Sequence, residues 1–168
     1  STITVPGEFL RVDLIGTNVS CYNIGNGSAY PIIISGDKGF GYSYYFENES
    51  GQQIMPNGDT IISLQPGKYF VTATEQGGDA RVAIDSVTIT QPDTLALTFD
   101  TDSTTCFNLS NGAVTLTTTG GTGTKTYLWS NNATSKNLTA VSAGWYTVEV
   151  TDANSCMTTD SALVEEPD

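Results

Sequence analysis

The chain has 168 residues, with 18 acidic residues against 6 basic, a formal net charge of −12 and no histidine. That balance argues against nucleic acid and anionic membranes, which are held by clustered Lys and Arg. The missing imidazole removes the usual general base, the Ser-His-Asp and Cys-His pairs, and the commonest zinc ligand.

Taken in chain order, strand signals recur and helix signals are nearly absent. "TITVPG" (2–7) reads as the last strand of a preceding repeat or a linker, over 1–6. "FGYSYYF" (40–46) alternates, placing Phe40, Tyr42, Tyr44 and Phe46 on one face and Tyr45 on the other. In "GKYFVTATE" (67–75), Tyr69, Val71 and Ala73 point inward and Phe70 outward. "VTITQPD" (87–93) alternates β-branched residues until Pro92, which lacks the ladder N–H and ends a strand. "LALTF" (95–99) then sets Leu95, Leu97 and Phe99 on one face, and "AVTLT" (113–117) follows an Asn111-Gly112 turn. "GGTG" (120–123) has strands on both sides and no following helix, so it reads as a turn and not a phosphate cradle. "TYLWS" (126–130) puts Tyr127 and Trp129 on one side. "WYTVEV" (145–150) sends Tyr146, Val148 and Val150 in, and Trp145, Thr147 and Glu149 out. Gly-x-Tyr at 67–69 and 144–146 has the spacing of a tyrosine corner. Many short strands with turns between them predict an all-β, antiparallel sandwich architecture.

The chain also aligns with itself. With Cys21 set on Cys106, "CYNIGNGSAY" faces "CFNLSNGAVT", and Tyr42 and Tyr44 fall over Tyr127 and Trp129. "LQPGKYFVTATE" faces "VSAGWYTVEVTD", and each copy closes on a phrase ending in proline, "TITQPD" or "LVEEPD". The expected organisation is therefore 1–6 as a leading strand, repeat 1 over 7–92 and repeat 2 over 93–168. The short linker at the seam predicts an end-to-end arrangement.

The combination C-x-N-x-x-N-G, "GGTG", Y-x-W-S, "AGWYTVEVTDANSC" and "EEPD" resembles the SprB-type repeat, found in tandem in very large surface proteins of Bacteroidota, including gliding-motility adhesins. Repeat 1 departs from it by about eight extra residues around 46–60 and by having no cysteine where Cys156 aligns. The resemblance implies two tandem Ig-like sandwiches in an exported, cell-surface adhesin. They would act as non-enzymatic stalk repeats whose partners are neighbouring repeats of the same chain. The alternative it leaves open is a module that itself grips polysaccharide or a solid surface. A monomeric fragment without cofactor, nucleic-acid partner or membrane insertion is expected.

Several residues stand out as candidates. Two disulfides are open: Cys106 with Cys156 inside repeat 2, or Cys21 with Cys156 across the seam. The second follows if the turns carrying Cys106 and Cys156 lie at opposite ends of the sandwich. Asp100, Asp102 and Asp152 offer loop oxygens of the kind calcium takes, without EF-hand spacing. Asp followed by Ser or Thr and an apolar residue resembles a Bacteroidota O-glycosylation acceptor, at Thr60, Ser86, Thr94 and Ser161. Tyr45, Phe70 and Trp145 are outward aromatics that could stack on a ligand.

Overall fold

A computed structural model describes residues 9–36, 41–77 and 80–167. The leading strand expected over 1–6 and Phe40, expected on one face with Tyr42, Tyr44 and Phe46, lie outside the described residues. The chain divides into two compact units, Ser1–Gln91 and Pro92–Asp168. The break falls inside "TITQPD". Every element among the described residues is a strand, and every paired strand runs antiparallel.

The first unit contains β1 (Arg11–Thr17), β2 (Gly27–Ser35), β3 (Tyr42–Asn48), β4 (Gln53–Ile54), β5 (Ile61–Leu64), β6 (Gly67–Glu75) and β7 (Val82–Ile89). They form two sheets, ordered β1-β2-β5 and β4-β3-β6-β7. The second contains β8 (Ala96–Asp102), β9 (Gly112–Thr119), β10 (Thr126–Trp129), β11 (Leu138–Val141), β12 (Gly144–Thr151) and β13 (Met157–Val164). Its sheets are β11-β9-β8 and β10-β12-β13. The extra residues of repeat 1 make the short strand β4 and a small Asn57–Thr60 bridge.

Alternation builds each core. Val71, Ala73, Val148 and Val150 are fully buried, as the two-residue period requires, while Trp145 on the opposite face of β12 is 68 % exposed. Leu97, Phe99, Tyr127 and Tyr146 pack against the second core at partial burial. The tyrosine corners form in both units: Tyr69 donates its hydroxyl to the Gln65 carbonyl at 2.8 Å, and Tyr146 to the Ser142 carbonyl at 2.9 Å.

Strand register corrects the alignment of the aromatics. Phe46 pairs with Val71 and Tyr44 with Ala73, whereas Trp129 pairs with Val148 and Tyr127 with Val150. Counting from the corner glycines, Phe46 is therefore the counterpart of Trp129, not Tyr44. Both are essentially inaccessible to solvent. Between the equivalent positions Tyr30 and Thr115 on one side and Phe46 and Trp129 on the other, repeat 1 carries two more residues than repeat 2, which shifts the sequence alignment by a full pleat.

The C-x-N-x-x-N-G motif has a local cause in each part. Asn23 and Asn108 take φ near +58° and +59°, a left-handed conformation that asparagine tolerates. Asn26 bridges to Ser20, and Asn111 to Thr105, each through both ends of its amide. The glycine that follows has no room for a side chain: a Cβ on Gly27 would lie 2.8 Å from Ile89, and one on Gly112 2.5 Å from Val164.

One position distinguishes the two cores at this turn. Val19 is buried in unit 1, and its counterpart Thr104 is equally buried, with a hydroxyl that has no partner among the described residues. Thr104→Val keeps the shape and removes the orphaned hydroxyl. It should raise the stability of unit 2 by about 1 kcal/mol, read from urea unfolding.

Candidate functional site

The chain leaves each unit at the opposite end from the one it enters. In unit 2, Gly121 donates its N–H to the Asp93 carbonyl at 3.0 Å where the chain enters. At the exit, Thr104 donates to the Glu165 carbonyl at 2.9 Å, and Asn108 to the Glu166 carboxylate at 3.2 Å. The eight residues of β9 separate these loops, a span of about 26 Å. Unit 1 repeats the plan. At its exit Val19 donates to the Thr90 carbonyl at 3.0 Å and Asn23 to the Gln91 side chain at 3.0 Å. At the other end the Ser35 hydroxyl donates to the Phe9 carbonyl, with the nine residues of β2 between. The first and last strands of each unit are thus neighbours running the same way, and they are further tied in unit 1 by the Leu14 N–H donating to the Asp85 carboxylate at 2.7 Å.

A buried carboxylate stands eight residues past the corner glycine in both units, Glu75 as the last residue of β6 and Asp152 just after β12. Asp152 is 5 % exposed. Its Oδ2 accepts the Thr122 N–H at 2.7 Å, and its Oδ1 accepts those of Asn154 and Cys156 at 2.8 and 2.9 Å. Burial pushes this carboxyl upward. The three backbone donors, with the Lys125 charge, outweigh burial and hold it below its ordinary value. Asp152 therefore ties the "GGTG" turn to the "TDANSC" turn. "GGTG" is the turn expected, with Gly120, Gly121 and Gly123 all in the left-handed region. A Cβ on Gly120 would lie 2.0 Å from the Thr94 carbonyl oxygen. Unit 1 uses Glu75, 3 % exposed, which receives Arg81 bidentately at 2.7 and 2.9 Å. Neither acid stands out as a clamp from the sequence alone. The signal was present: an acidic residue at the same offset from Gly67 and Gly144.

The expected calcium set does not assemble. Asp100 and Asp102 lie exposed on β8, Asp102 towards the exit end of unit 2, while Asp152 stands at the other end with its oxygens engaged by backbone donors. No group of three or more His, Cys, Asp or Glu side chains converges among the described residues.

The Cys106–Cys156 pairing is also corrected. Cys106 is an exposed free thiol. It sits in the turn beside Glu165 and Glu166, whereas Cys156 precedes β13, whose eight residues put the two cysteines roughly 26 Å apart against a Cα separation below about 7 Å in a disulfide.

The outward aromatics stay outward. Trp145 lies on β12 opposite Leu163, and Tyr45 on β3 is 42 % exposed. Phe70 is half-buried under the Lys68 ammonium, 5.2 Å from its ring centre. Of the O-glycosylation candidates, Thr94 and Ser161 are exposed, and Thr60 and Ser86 are half-buried.

Residues 98–134 match the family model of the SprB repeat. Unit 2 carries a SprB-type repeat. The matched span runs from within β8 past Trp129 and includes the Asn111-Gly112 turn and "GGTG". A search of curated proteins finds no match. Among solved structures, the chain is similar to the three N-terminal domains of the highly immunogenic outer capsid protein of bacteriophage RB49. That likeness has 15 % identity and a TM-score of 0.57, and covers 94 % of this chain and 59 % of that one. It is also similar to the amphioxus IgVJ-C2 molecule (11 % identity, TM-score 0.36, 95 % and 99 % covered) and to Sidekick-1 immunoglobulin domains 1–4 (9 %, 0.41, 96 % and 48 %). The fold is all-β, antiparallel β-sandwich repeats without helix among the described residues.

Proposed function

We propose that these repeats are stalk modules of a very large exported surface adhesin, of the gliding-motility kind, carrying load between the cell and a more distal adhesive region. The observation that supports this reading is the path of the chain through each unit: in at one end, out at the other, with the first and last strands side by side. Tension on such a unit shears those strands along their length instead of peeling them apart.

Pulling the two-repeat chain by its termini tests the reading. In reductant, each unit should resist and then release as one step, about 270 Å of contour for the 77 residues of unit 2. A chain that extends smoothly, without resisted steps, overturns the stalk reading. The Cys21–Cys156 pairing belongs to the same proposal. If it forms, omitting reductant withholds most of that extension; if it does not, the two traces coincide.

A further inference from the structure

Each unit supplies a control for the other, because the same sheet recurs with different outer faces. On β1-β2-β5, Ile15, Tyr30, Ile32, Ile34 and Ile62 point away from the core and are each 40–52 % exposed. Ile15 pairs with Tyr30 across β1 and β2, and Ile32 and Ile34 continue the same face along β2, so these side chains form an apolar stripe, with Asp13 opposite Ile32 at its β1 edge. The matching sheet β11-β9-β8 has the same register, Asp100 with Thr115 standing where Ile15 stands with Tyr30. There the five positions hold Asp100, Thr115, Thr117, Thr119 and Thr139. Even the irregularity in the third strand is kept, with Ser63 and Ala140 at φ 58° and 56°. The fold therefore has no need of apolar residues on this face, since unit 2 builds it from threonine. β-Branched propensity does not account for the difference either, because threonine satisfies it equally.

We infer that the outer face of β1-β2-β5 is an adhesive surface for extended, uncharged, apolar material of hydrocarbon character. Charge and area choose this occupant. The three strands carry only Arg11 and Asp13, so they sum to zero in a chain of net charge −12. Both point outward on this face, Asp13 standing opposite Ile32, and their opposite signs leave no net charge to hold a cationic or anionic partner. A second copy of the chain brings another −12 and is repelled. The face is also small for a stable protein partner. The seven, nine and four residues of β1, β2 and β5 cover roughly 320 Å², under half of the ~800 Å² per partner of a standard interface. A broad apolar surface escapes that limit, because weak contacts at many such modules add through avidity. The inference goes beyond the stalk reading and does not depend on it.

The test is adsorption of the full two-repeat chain to methyl-terminated and hydroxyl-terminated alkanethiol monolayers. The chain should adsorb to the methyl surface and not to the hydroxyl one. Tyr30→Thr, Ile32→Thr and Ile34→Thr combined, the residues unit 2 uses, should lower that adsorption by about tenfold or more. The single change Ile34→Thr should give a smaller loss in the same direction, and covers the case in which the triple variant folds poorly. Trp145→Thr, on the other unit, should leave adsorption unchanged. Equal adsorption by wild type and both variants that carry Ile34→Thr overturns the inference, as does loss with Trp145→Thr alone. Self-association of wild type in sedimentation equilibrium, abolished by the triple change, overturns it in favour of a second copy. Mechanical unfolding of the triple variant should match wild type, so failure here is separable from failure of the stalk reading.

Discussion

Trp129→Ala should unfold unit 2 or leave it barely folded. The indole is 1 % exposed at the centre of the second core, with Phe99 edge-on at 6.3 Å between ring centres. Its Nε1–H donates to the Ser135 carbonyl at 2.9 Å, which also fixes the turn after β10. Truncating a buried Trp costs about 3–5 kcal/mol. A unit of 77 residues has in total about 4–12 kcal/mol to lose. Thermal unfolding followed by far-ultraviolet circular dichroism should show the unit 2 transition lost or shifted far down. Trp129→Phe should recover much of the loss, because Phe46 fills the equivalent place in unit 1. A melting profile unchanged by Trp129→Ala would mean that this core is not what holds the unit together.

Asp152→Ala should cost about 3 kcal/mol, since it strips a charged acceptor from three backbone N–H groups and leaves them without it. The pH dependence has a definite sign. The folded carboxyl is held below its ordinary value, so its stabilisation is complete above the unfolded value of about 4 and is lost as pH falls through the lower folded value. The gap in urea midpoint between wild type and Asp152→Asn should therefore be constant from about pH 5 to 7 and close below about pH 4. Both tryptophans of the chain lie in unit 2, so their fluorescence reports this unit alone. A gap that persists unchanged to pH 2 would show that the carboxylate charge contributes nothing.

What was legible in the sequence is what repeats at short range. Alternation in "WYTVEV" and "GKYFVTATE" gave the inward and outward residues of β12 and β6, because a strand's side-chain period is fixed by its backbone. The Gly-x-Tyr corners and the Asn-Gly turns were equally readable, since each depends on residues within a few positions. The repeat itself needed only that two halves carry the same local signals.

Features set by residues far apart in sequence were not legible. The two extra residues between Tyr30 and Phe46 hid the equivalence of Phe46 and Trp129 until cross-strand pairing restored it. The role of Asp152 depends on a turn some thirty positions earlier, so alone it read as a loop acid suited to calcium. The separation of Cys106 from Cys156 is a matter of which end of a strand each occupies, which no spacing along the chain records. By itself the sequence determined the strands, their inward faces and the doubling of the fold, because backbone geometry enforces these locally. Only the tertiary structure decided which acids are clamps and which thiol is free, and that the isoleucines of repeat 1 share one exposed face, because those properties arise when distant strands pair.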